Sequence, residues 1–65
     1  MRIIVATTFK DKQIAFRGNA ISSIEEIGNN ICMVNIQYIG LTKIYFNFKL
    51  LVSFWNEAIT NGMQL

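Results

Sequence analysis

Hydrophobic and polar residues alternate with a period of two along most of this chain, and only the last third changes to helical spacing. Residues 2–9 place Ile3, Val5, Thr7 and Phe9 on one face and Arg2, Ile4, Ala6 and Thr8 on the other, which predicts a first strand. Lys10-Asp11-Lys12 is a polar break of hairpin length. Residues 13–17 resume the alternation with Ile14 and Phe16 together, and Gly18-Asn19 signals a turn. Residues 21–27 fit two readings, because Ile21, Ile24 and Ile27 recur every three positions. A helical turn and a bulged strand both place them so. The stretch is too short for an independent helix and rich in β-branched residues, which favours a strand.

Gly28-Asn29-Asn30 predicts a tight turn, followed by the longest expected strand over residues 31–39. Cys32, Val34, Ile36 and Tyr38 share one of its faces; Ile31, Met33, Asn35, Gln37 and Ile39 share the other. Both faces are largely apolar, so the strand is expected to be central or buried in an interface. Gly40-Leu41-Thr42 reads as a turn, and residues 43–48 as a last strand with Ile44, Phe46 and Phe48 inward. Residues 49–61 then set Leu51, Phe54, Trp55, Ala58 and Ile59 at i, i+3, i+4, i+7 and i+8, the stripe of an amphipathic helix. Asn47 suits its N-cap, and Gly62 suits its stop. The expected class is α+β: a small antiparallel β-meander of about five short strands packed by one C-terminal amphipathic helix. One domain over residues 1–62 and a tail over 63–65 are expected.

Composition adds a tension to that picture. The chain has 65 residues, 52% of them hydrophobic and 15% charged, against about 25% charged in an ordinary domain. A domain of this size buries only about 60% of its unfolded surface. A single cysteine, Cys32, excludes an intrachain disulfide, and the absence of histidine leaves no usual zinc set. No metal and no cofactor are expected. Apolar surface in excess of what one helix can cover implies a partner chain, most simply a second copy. The longest apolar-rich run, residues 44–55, is too short and polar to span a membrane. The first residues begin like an export signal, but polar residues from Thr7 to Lys12 cut it short. A cytoplasmic location is the expectation, consistent with a free cysteine.

The candidate chemistry is sparse. Glu25 and Glu26 are adjacent, so on a strand they point to opposite faces and cannot act as an acid–base pair. Nucleophilic catalysis at Cys32 or a serine lacks its usual histidine base, and Cys32 within Ile31-Cys32-Met33-Val34 reads as a small buried residue. The glycines are isolated, so no phosphate-binding loop is present. No enzymatic activity is expected.

Two binding readings remain. Surplus apolar residues on strand 31–39, namely Met33, Val34, Ile36, Tyr38 and Ile39, mark an expected protein interface. An exposed sheet face or edge there would add a partner. The reading is a small non-enzymatic interaction or regulatory module that self-associates. The alternative is a nucleic-acid-binding regulator using Arg2, Lys10, Lys12, Arg17 and Lys43, with Tyr38, Tyr45 and Trp55 as a stacking platform. The net charge of +2 gives it little support.

The run Ile21-Ser22-Ser23-Ile24-Glu25-Glu26, the turn at Gly28-Asn29-Asn30, the strand from Ile31, Gly40, a further strand and a terminal helix resemble the small FlbD-type proteins associated with flagella and swarming motility. Thr7 and the paired glutamates fall near that family's spacing. The resemblance covers roughly residues 1–60 and implies architecture only, with no functional residue carried over. Eleven isoleucines and seven asparagines match usage common in AT-rich bacterial and phage genomes.

Overall fold

In the computed structural model, residues 3–63 are described. Five antiparallel strands form one open sheet with a single C-terminal helix, the α+β class that the patterning predicts. The strands are β1 (Ile3–Thr8), β2 (Gln13–Arg17), β3 (Ile21–Gly28), β4 (Ile31–Ile36) and β5 (Gly40–Tyr45), and the helix is α1 (Phe48–Met63). Their order in the sheet is β2-β1-β5-β4-β3. A hairpin (β1, β2) is therefore joined to a three-strand meander (β3, β4, β5).

The join is narrow. β1 meets β5 only at one corner, with Thr7 opposite Tyr45 and Thr8 opposite Ile44. A flat five-strand sheet would separate its edge strands by about 19 Å, whereas the four steps from Arg17 to Ile21 reach at most about 14 Å. In addition, Ile21 stands opposite Ile36, and Ile36 opposite Gly40, at the end of β5 remote from that corner. Only a sheet that folds at the corner, hairpin over meander, lets the short 3₁₀ turn Gly18–Ala20 connect β2 to β3.

That fold makes one face concave. Ile4, Ala6, Phe16, Ile21, Cys32, Val34, Ile36 and Ile44 are buried there, with Leu51 from α1. The alternation decides the assignment: Cys32, Val34 and Ile36 point inward while Ile31, Met33 and Asn35 point out and stay half-exposed. Burying each such aliphatic side chain contributes about 1.5–3 kcal/mol.

The helix is placed by three local devices. Asn47 is its N-cap as expected: the Leu50 backbone N–H donates to Asn47 Oδ1 at 2.9 Å. The Trp55 indole N–H donates to the Ile21 carbonyl at 3.1 Å, tying α1 to the start of β3. Gly18 is buried under the helix, and a Cβ there would lie 2.8 Å from Ala58 Cβ and 3.3 Å from the Phe54 carbonyl oxygen. Only glycine permits that crossing.

Several boundaries differ from the patterned expectation. The stretch 21–27 is a strand, with its register shifted between Ile21 and Ser23 and again between Glu26 and Gly28. β4 ends at Ile36 rather than residue 39, and the turn falls at Gln37–Ile39 instead of Gly40–Thr42. β5 then starts at Gly40 and ends at Tyr45, short of residue 48. Phe46 leaves the strand to pack edge-on against Phe54, with ring centroids 6.2 Å apart, and Phe48 opens the helix. α1 passes the expected stop at Gly62. Ile59 is exposed rather than part of the packed stripe, because the helix crosses the sheet at Gly18 and Ala58 and turns Ile59 away.

Candidate functional site

Two surfaces emerge. The first is a groove of about 410 Å³ at the margin of the sheet, between the β1–β2 loop and the start of β5; among the described residues none of α1 lines it. Strand alternation places Ile14 of β2 and Thr42 of β5 on its inner side and Leu41 and Lys43, opposite Asn35 and Met33, on its outer side. Phe9 and Leu41 form its walls, and Lys10, Lys12 and Lys43 surround it. Among the described residues no acidic side chain lines it, Asp11 between two of the lysines included.

The loop holding Lys10 and Lys12 is tightly defined. Asp11 N–H donates to the Thr8 carbonyl at 3.0 Å, and Thr8 N–H donates to the Lys12 carbonyl at 2.7 Å. Asp11 adopts φ 62°, a three-residue hairpin loop in which a type I turn is followed by a left-handed residue. The Thr8 hydroxyl oxygen accepts from the backbone N–H groups of both Lys10 and Lys12 at 3.3 Å. One threonine thus anchors both lysines at the groove.

Opposite stands the β4–β5 turn. Ile39 N–H donates to the Ile36 carbonyl at 3.0 Å, and Tyr38 has φ 71°, the third position of a type II turn, which favours glycine. A bulky residue there costs about 1–2 kcal/mol. Tyr38 is nonetheless 98% exposed and Leu41 71%. The aromatic wall is supported from behind: Phe9 stacks on Tyr45 with centroids 4.6 Å apart and an interplanar angle of 7°. Lys43 Nζ lies 5.6 Å from the Phe9 centroid, within cation–π range.

The second surface is the convex outer face, which no described element covers. Val5 on β1 is 57% exposed and Tyr45 on β5 is 51% exposed, with Ile3 and Phe9 beside them.

The expected interface residues are divided by this geometry. Val34 and Ile36 are fully buried in the core and cannot meet a partner, because their strand turns that face under the helix and hairpin. Met33 lies half-buried on the outer face, and Tyr38 and Ile39 sit on the turn at the groove end. Of the basic residues, Lys10, Lys12 and Lys43 converge on the groove. Arg17 ends β2 opposite Ile3, about 17 Å along the strand from Lys12. Arg2 lies outside the described residues. The aromatic platform does not assemble, since Trp55 is engaged with Ile21 inside, Tyr38 is on a turn and Tyr45 is on the outer face.

Leu41 and Phe9 at the groove were missed by sequence reasoning. Leu41 was assigned to a turn, and nothing in the alternation shows that the hairpin loop folds against β5. Cys32 is buried, its Sγ donating to the Phe46 carbonyl at 3.4 Å. Burial, then the nearby Glu26 carboxylate, raises its thiol pKa, which holds it as an unreactive neutral thiol at neutral pH. Among the described residues no cluster of potential metal ligands occurs, and no helix is long and apolar enough to cross a membrane. No family model, curated protein or solved structure matches this chain.

Proposed function

We propose that the protein is a small non-enzymatic interaction module that self-associates through its convex sheet face. The observation that supports this reading is the uncovered apolar face around Val5 and Tyr45, on a sheet whose single helix is committed to the other side. The high apolar fraction of the chain supports it further, since a second copy is the simplest means of removing that face from water.

The test is the solution mass by light scattering over a range of concentrations, for the native chain and for Val5→Lys. The native chain is expected to form a dimer or larger assembly. The substitution places a charge at the centre of the contact and is expected to yield a folded monomer. A native chain that stays monomeric at all concentrations would refute self-association.

A further inference from the structure

We infer that the lysine-ringed groove between the β1–β2 loop and the β4–β5 turn binds an acidic, aliphatic-rich peptide segment of a partner protein. The groove shares Phe9 with the margin of the convex face but does not include Val5, so Val5→Lys tests self-association without altering a groove residue. Three observations carry it. The first is charge: Lys10, Lys12 and Lys43 surround the groove and no carboxylate of the described residues lines it, so an anionic occupant is favoured and an opposing cation repelled. The second is the character of the walls. Ile14, Ile39 and Leu41 are aliphatic and suit aliphatic side chains. Nucleic acid would need open aromatic faces for its bases, and the one aromatic wall, Phe9, is already engaged by Tyr45 and Lys43.

The third observation is that the site is built in advance. Thr8 fixes the backbone of both loop lysines, and the facing turn keeps Tyr38 in a left-handed conformation while exposing Ile39 and Leu41 beside it. An extended segment with alternating acidic and aliphatic residues would place its carboxylates at the lysines and its apolar side chains between the walls.

The test uses the full chain and a fluorescein-labelled peptide alternating aspartate or glutamate with leucine, read by fluorescence anisotropy at low salt. Saturable binding is expected, weakening as salt is raised. Replacing the leucines by serine, or the acids by glutamine, is expected to weaken it about tenfold or more. Lys10→Glu with Lys12→Glu is expected to do the same. Because both lysines are exposed on a loop, the circular dichroism spectrum should be unchanged. Should that variant not fold, Leu41→Asp, also on the surface, decides the question and is expected to abolish binding. Val5→Lys should leave peptide binding intact; its loss would place the peptide on the convex face and overturn the inference. Absence of saturable binding, or binding unaffected by Leu41→Asp, would overturn it too. Tighter binding of oligothymidylate than of the peptide would overturn it in favour of a single-stranded nucleic acid.

Discussion

The two ends of the sheet are built from the same alternating strands, yet one is closed and the other open. At the closed end α1 lies against the Gly18–Ala20 turn and β3, Leu51 is fully buried, and the Trp55 indole is bonded to the Ile21 carbonyl. At the open end Leu41 is exposed and lines a groove with three lysines, and Tyr38 on the adjoining turn faces solvent. Hydrophobicity does not separate them, since both carry aliphatic and aromatic residues. Size and charge do. Gly18 and Ala58 let two backbones approach closely, whereas the ammonium groups of long lysine side chains must remain hydrated or paired with an anion and hold an uncharged covering element away.

Three substitutions probe this contrast. The largest effect is expected from Leu51→Ala at the closed end, a loss of about 2–5 kcal/mol in denaturant unfolding. A loss under 1 kcal/mol would show that the helix is not held by its core contact. Next is Gly18→Ala, expected to cost about 1–3 kcal/mol by overpacking against Ala58. Adding Ala58→Gly should recover part of it, and the absence of any recovery would place the clash elsewhere. The smallest effect is expected at the open end and with opposite sign. Tyr38→Gly relieves a left-handed tyrosine and should gain about 1 kcal/mol or less, once the freer unfolded chain is counted. If it destabilises the fold instead, the exposed ring contributes to stability and the two ends are less different than they appear in their contacts.

The strands were legible because each alternates in its own segment. Ile14 and Phe16 separate cleanly from their neighbours, whereas Ile4 and Ala6, or Cys32 and Val34, have apolar neighbours, and only the packed sheet shows which face is inward. The Asn47 cap was equally readable, since capping depends on residues three apart. Strand ends were less so. The sequence Tyr38-Ile39-Gly40 invites continuation of β4 to residue 39, because nothing local shows that tyrosine takes the turn position normally given to glycine. The groove was only partly legible: its lysines were noticed, but with Arg2 and Arg17 among them and without the aliphatic walls. Burial was misassigned for Val34 and Ile36, whose apolarity marks the core and an interface alike.

The sequence by itself determined the α+β class, the approximate element spans, and the predominance of apolar burial in a chain without disulfide or histidine. These follow from periodicity and composition, which are local or global sums. Tertiary structure alone decided the strand order, the folding of hairpin over meander, the role of Gly18 and the meeting of Lys10 and Lys12 with Lys43. Each depends on which segments pair across more than thirty residues, and the hydrogen bonds that make strands are the same for every partner. The choice rests on the combined fit of side-chain volumes, helix crossing and a three-residue link that is too short for a flat sheet.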